Sequence, residues 1–252
     1  MTSIGQTLAA YWREFKAQTI VPWRLDREFY HTYGVKPLPG ARERRRRVDR
    51  AVRECGLEKR YSISPWLNEV LYNFTRLAKP DIIVETGVHF GMSSAYWLMA
   101  LDANQKGTLY SIDLPCMTPG GQMNADGVPD RSYVAEVDQT GVVVKQMGLT
   151  GRWKLQLGDA KELLPALLKD LGHVGFFYHD SDHSHDHQIW EYRTAWPYVA
   201  RGGWLMSDDV DWTPAFSEFS AEAGQRPKTW LSKLGVLQKG TPTPSLRVPL
   251  DS

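Results

Sequence analysis

Cysteine is scarce: Cys55 and Cys116 are the only two among 252 residues. That is too few for a disulfide framework and points to a reducing compartment. Long apolar runs are missing as well. The longest dense one, Ala95 to Leu101, falls far short of the roughly 20 residues needed to span a bilayer, so no membrane partner is expected. The first residues lack the basic start, apolar core and small-residue cleavage site of a signal peptide. A soluble, cytoplasmic protein is therefore the expectation. Neither sign of charge is in excess: 30 basic and 29 acidic residues leave a formal net charge of +1, which gives no general case for a polyanion partner. There is no internal repeat and no G-x-G-x-x-G turn.

What is present suits a packed core. The length fits one α/β domain with an extension, and 42% of the residues are hydrophobic. Ten tryptophans hint at an aromatic-walled pocket, although core packing accounts for most tryptophans. Ile4, Leu8, Trp12 and Phe15 recur at helical spacing and predict an amphipathic helix over 4–17. Residues 18–40, with Pro22, Gly34, Pro37, Pro39 and Gly40, read as irregular. The block from Ala41 to Cys55 carries an apolar stripe at 48, 51, 52 and 55 among many arginines. A nucleic-acid patch is the sharp reading of those arginines. The interleaved acids favour a solvated helix face or an interface, so no nucleic-acid partner is expected. Residues 1–62 are thus an N-terminal helical extension, acting as lid or interface, and 63–252 are the main domain.

From residue 66 the apolar periodicity alternates between helix and strand. Trp66 to Leu77 predicts a helix stopped by Pro80. Strand 81–85, a nearly all-apolar helix 93–101 and strand 107–112 form a right-handed βαβ unit. Residues 114–140 break the rhythm with prolines and glycines, and a loop that long is expected to act as a lid over the ligand edge. Strand 153–157 follows, then a leucine-rich helix in which Pro165 is expected in the first turn. Strand 174–178, a helix marked by Ile189, Tyr192, Trp196 and Val199, a strand after Gly202-Gly203, a helix 215–223 and edge strands near Trp230 and 234–238 complete the chain. The fold class is α/β: a Rossmann-like, doubly wound, mostly parallel seven-stranded sheet with helices on both faces.

Two strands end in carboxylates, Asp180-Ser-Asp182-His183 after one and Asp208-Asp209 after the other. In a parallel sheet both ends open on the same edge, where such folds bind ligands. The first turn reads Glu85-Thr-Gly87-Val-His89-Phe-Gly91. Its strand-terminal acid would repel a pyrophosphate but suits a cationic amine. S-Adenosylmethionine carries an ammonium and a carboxylate and no phosphate. Its carboxylate can sit on the helix N-terminal amides beside Ser93, with its ammonium near Glu85 or Asp180.

These motifs, in order at successive strand ends, resemble the class I S-adenosylmethionine-dependent methyltransferases over about residues 64–240. The resemblance implies that Glu85, Gly87, His89, Gly91 and Ser93 line the methionine end of the cofactor. His89 departs from the middle glycine of many members, a glycine that metal-dependent catechol-type enzymes also lack. It further implies that Asp113 holds the ribose and that Gly158-Asp159-Ala160 lies by the adenine.

The acids after strands four and five look like those of metal-dependent small-molecule and sugar O-methyltransferases. That resemblance implies Mg²⁺ at Asp180, Asp208 and Asp209. Three crowded carboxylates do repel one another unless a hard cation lies between them, although such acids also cap helices. The general base is implied to be either His183, three residues past the first ligand, or Asp182; imidazole is well poised to take a proton near neutrality. His179, His185 and His187 read as surface or packing residues. The expected reaction is O-methylation of a small-molecule hydroxyl acceptor, a sugar or secondary metabolite of natural product biosynthesis. Metal-independent transfer with His183 as base and a nicotinamide-dependent oxidoreductase are the alternatives. A zinc hydrolase is disfavoured because His183-Ser-His185-Asp186-His187 is one residue short of the H-x-H-x-D-H motif. A homo-oligomer is left open.

Overall fold

The computed structural model describes residues 21–57, 65–115, 122–123, 129–130 and 135–240. The predicted helix 4–17, Cys116 and most of the 114–134 stretch lie outside these. Within that stretch Gln122–Met123 pairs with Pro129–Asp130 as a short antiparallel ribbon.

The first described element overturns part of the sequence reading. Residues 18–40 contain a helix, α1 (Val21–Tyr33). Pro22 is its second residue, where a missing N–H costs nothing, so the proline opens the helix where a break was expected. Leu25, Phe29 and Tyr33 recur every fourth residue and are all buried. Helix α2 (Ala41–Glu54) buries Val48, Ala51 and Val52. One arginine of its basic block is inside as well. Arg44 grips Glu69 of α3 (Pro65–Ala78) through Nη2 at 2.6 Å and Nε at 3.0 Å, and its guanidinium lies 3.8 Å from the Tyr72 ring centre. Arg45 and Arg46 pair with Asp49 and Glu43 on the same helix.

Seven strands form the sheet: β1 (Ile82–Thr86), β2 (Thr108–Asp113), β3 (Trp153–Leu157), β4 (Val174–His179), β5 (Val199–Ser207), β6 (Lys228–Trp230) and β7 (Leu234–Gln238). Their order is β3-β2-β1-β4-β5-β7-β6. The first five are mutually parallel, and β7 runs antiparallel to both of its neighbours. The chain winds outward from β1 and then returns to lay β4 on its other side, which makes the β1/β4 boundary the switch point of the sheet.

Each face has its own core. Helices α1–α3, α4 (Met92–Asn104) and α5 (Val142–Gln146) pack on one face. Helices α6 (Ala160–Leu171), α7 (His185–Ala195) and α8 (Ala215–Glu222) pack on the other. Helix α6 begins earlier than its leucines suggest, because Asp159 caps it by accepting the Lys161 N–H at 2.8 Å. Pro165 therefore stands in the second turn rather than the first. It forgoes one bond to the Lys161 carbonyl, four residues back. No helix among the described residues is long and apolar enough to cross a membrane.

Candidate active site

Alternation along a strand sends neighbouring side chains to opposite faces, and at the carboxyl edge it builds two separate polar networks. Glu85 and Tyr178 face α4, whereas Thr86 and His179, one residue on, face α7. On the α4 side Glu85 is fully buried. Its Oε1 accepts from Ser94 Oγ at 2.5 Å and Ser111 Oγ at 2.7 Å. Ser111 in turn accepts from the Trp153 indole N–H at 2.7 Å. Glu85 Oε2 is buried with no partner among the described residues. Burial raises this carboxyl to about 7, against the lowering effect of the two serines.

The turn after β1 is held in the left-handed region at Gly87, His89 and Gly91, with φ of 85°, 51° and 88°. A side chain at Gly87 is excluded by more than φ: its Cβ would lie 1.9 Å from the Asp180 carbonyl oxygen. Asp113, at the end of β2, accepts the Val88 N–H at 3.1 Å and so ties itself to this turn. Residues 141 and 143 bond back to the carbonyls of His89 and Phe90, so the described end of the long loop is fastened to the first turn. Gly91 precedes α4 without any side-chain cap. Ser93 is buried in the first turn of that helix, but it is Ser94 that reaches Glu85.

Beyond the ends of β4 and β5 stand the remaining acids and imidazoles. The Asp180 N–H extends the β1 pairing to Thr86 O at 2.9 Å, and the Asp208 N–H bonds His179 O at 2.9 Å. Tyr178 Oη donates to Asp180 Oδ2 at 3.4 Å. Burial and then the charge of Asp208 push the Asp180 carboxyl well above the usual range. Burial and the charge of Asp209 push Asp208 to about 6, and Asp208 Oδ1 has no partner among the described residues. Asp209 points elsewhere, bonded to Lys233 Nζ at 2.7 Å. Asp182 is exposed, and its Oδ1 accepts the Ser184 N–H at 2.8 Å. His183 is partly buried with Nε2 3.9 Å from Asp180 Oδ1; its ring leans on exposed Trp212, centroids 5.0 Å apart. Burial and the nearby His179 lower the His183 pKa.

On the α7 side, Glu191 takes bonds from Thr86, His179, Ser181 and His187. His179 is completely buried. His185 faces outward to Glu218 at 2.8 Å. Asp159 and Ala160 begin α6 beyond β3. The structure thus brings Glu85, Gly87, Asp180, Asp208 and His183 to one edge. Asp182 and Asp209 border the same edge but are bonded to neighbours outside it.

A family model described as a methyltransferase domain matches residues 84–210, half of the chain, from β1 to just past Asp209. The chain belongs to this family. It is an S-adenosylmethionine-dependent methyltransferase of class I. No curated protein matches it, but solved structures do. The methyltransferase aligns with a Podospora anserina methyltransferase bound to S-adenosylhomocysteine at 12% identity and a TM-score of 0.57, covering 96% of this chain and 99% of that one. The calicheamicin methyltransferase CalS11 gives 18% and 0.54, over 70% and 79% of the two chains. The O-methyltransferase TomG from Streptomyces achromogenes, involved in tomaymycin synthesis and complexed with S-adenosylmethionine, gives 17% and 0.52, over 85% and 96%. At such identities the likeness speaks for the fold.

Sequence reasoning did not find Ser94, Ser111, Thr86, Glu191 or Lys233. Only the alternation of β1 and β4, projected onto the helices packed against each face, could have pointed to Ser94, Thr86 and Glu191, and the β1/β2 register to Ser111.

Proposed function

We propose that this methyltransferase transfers the methyl group to a hydroxyl of a small molecule, a sugar or secondary metabolite, with Mg²⁺ assisting. The observation that carries this reading is His183. Burial lowers the pKa of this imidazole, and its Nε2 has no hydrogen-bond partner among the described residues, at the edge where Asp180 meets the Gly87 turn. A neutral imidazole accepts the proton a hydroxyl must lose when its oxygen takes a methyl group. The likeness to TomG and to a Bacillus cereus protein solved with S-adenosylhomocysteine, both O-methyltransferases, supports oxygen as the acceptor atom.

The residues present fit the methyl donor. The uncapped N-terminal amides of α4 suit its carboxylate, and the orphaned Glu85 Oε2 suits its ammonium. S-Adenosylmethionine supplies an electrophilic methyl carbon on a sulfonium. Asp113, Asp159 and Ala160 line the edge on the β2 and β3 side, where the ribose and adenine would extend.

Mg²⁺ is commonly held by one or two carboxylates with water or substrate completing the shell. Asp180 and Asp208 fit that description, since the charge of Asp208 raises Asp180 and Asp208 Oδ1 lacks a partner among the described residues. Asp209 would join them only by leaving Lys233. Among the described residues no three His, Cys, Asp or Glu side chains are gathered closely enough to hold an ion as they stand. When bound, the ion would lower the pKa of a coordinated hydroxyl. In the transfer His183 would orient the acceptor hydroxyl and take its proton on Nε2. Asp182 is the alternative base.

Calorimetry with S-adenosylhomocysteine and with NAD tests the cofactor; tight NAD binding without the former would sink the reading. Activity that survives EDTA unchanged would leave His183 acting without a metal.

A further inference from the structure

Glu191 takes no part in the reaction as just described, yet it is completely buried and takes four hydrogen bonds. Its Oε2 accepts from Thr86 Oγ1 and from His179 Nδ1 at 2.8 Å. Its Oε1 accepts from Ser181 Oγ at 2.8 Å and from His187 Nε2 at 2.9 Å. The partners come from the end of β1, the end of β4, the loop behind β4, and α7 itself. Burial alone would raise this carboxyl, but the charge and hydrogen bond of His179, with those of His187, outweigh it and hold Glu191 below the usual range.

An ionised carboxylate can only accept. All four partners therefore donate, and each imidazole carries a proton on the nitrogen that faces Glu191. With Nδ1 so committed, the other ring nitrogen, Nε2, is buried with no hydrogen-bond partner among the described residues. Its ring stands 5.4 Å from the ring of His183. Ser181 lies between Asp180 and Asp182, so its bond to Glu191 pins the peptide that carries Asp180. Stability alone would not call for this arrangement, because a buried ionic cluster is commonly replaced by apolar side chains at no loss.

We propose that Glu191 is a positioning residue: it fixes the proton on His179 and the course of the 180–184 loop, and thereby sets where Asp180 and His183 stand. The proposal rests on the reading of those two residues as the reacting edge.

The test uses the full chain with ¹⁵N-labelled histidine, as wild type, Glu191→Gln and Ser181→Ala. Glutamine keeps the volume but turns one oxygen into a donor, which forces at least one of the two facing imidazoles to give up its proton there. Wild type is expected to show His179 protonated at Nδ1. In Glu191→Gln, His179 or His187 changes tautomer, the His183 ring signals move, and S-adenosylhomocysteine binds about tenfold more weakly. Ser181→Ala moves the His183 signals and weakens the same ligand without changing the His179 tautomer. Unchanged His183 signals and unchanged affinity in both variants overturn the proposal. Should Glu191→Gln fail to fold, Ser181→Ala decides by the same readouts. A wild type that does not bind S-adenosylhomocysteine would instead overturn the functional reading, and the imidazole signals would still decide the role of Glu191.

Discussion

The two carboxyls and the imidazole nearest the switch point depart from their ordinary pKa values because they are buried, and the directions make separate predictions. His183 is lowered, so it becomes protonated only at more acid pH than a free imidazole. The acid limb of kcat/KM against pH is thus expected below about 6.5, with full activity at neutrality. His183→Ala should lower kcat by about 10²–10⁴ while leaving S-adenosylhomocysteine affinity intact; a smaller loss would shift the role of base to Asp182. Glu85 is raised to about 7 from an ordinary 4.5. The folded state therefore keeps a proton that the unfolded chain gives up between those two values. Stability should fall as pH rises from about 4.5 to about 7, by on the order of 3 kcal/mol if Glu85 acts alone. Glu85→Gln is expected to flatten that slope in urea titrations and to stabilise the ligand-free protein at pH 8, while weakening cofactor binding.

At the scale of elements, the α2–α3 clasp invites a direct comparison. Arg44 and Glu69 are both buried, and burial raises the Glu69 carboxyl even against the Arg44 bond. Arg44→Met strands that carboxyl and should cost about 3–5 kcal/mol in chemical denaturation. The double variant Arg44→Met/Glu69→Leu is expected to recover most of the loss. The clasp also shows what patterning can and cannot convey. The stripe at 48, 51 and 52 announced a docked helix, and the strand ends 85, 113, 180 and 208 were readable because each closes an apolar run. Helix α1 was missed because Pro22 was weighed as a breaker without regard to its place in the first turn. Arg44 was read as one of a solvated block, since nothing local distinguishes it from Arg45 or Arg46. The Glu191 cluster was illegible for a related reason. Thr86 and Glu191 lie 105 residues apart in sequence, and hydrogen bonds between distant polar side chains leave no period in the sequence.

For the whole molecule, the near-balance of charge has a local counterpart at the arginine helix: Arg44 is inside, and Arg45 and Arg46 have acidic neighbours on α2. Electrophoresis with DNA or RNA at physiological salt should therefore show no shift, and a salt-dependent shift would contradict the solvated-face reading. The unequal cover of the sheet is also a property of the whole. Among the described residues, five helices thicken the β1–α4 side and three the other, so the groups at the carboxyl edge of the sheet are backed from both directions.

The contact of Gly87 with Asp180 has a consequence for how such a protein can change. The first turn and the start of the 180–184 loop meet there main chain against main chain, with no side chain interposed. Residues at the rim, such as Trp212, can be exchanged without altering that spacing. On the proposed reading, the distance over which the methyl group travels and the identity of the molecule that receives it are governed by different parts of the chain, so that a new acceptor can be accommodated while the transfer itself is left alone.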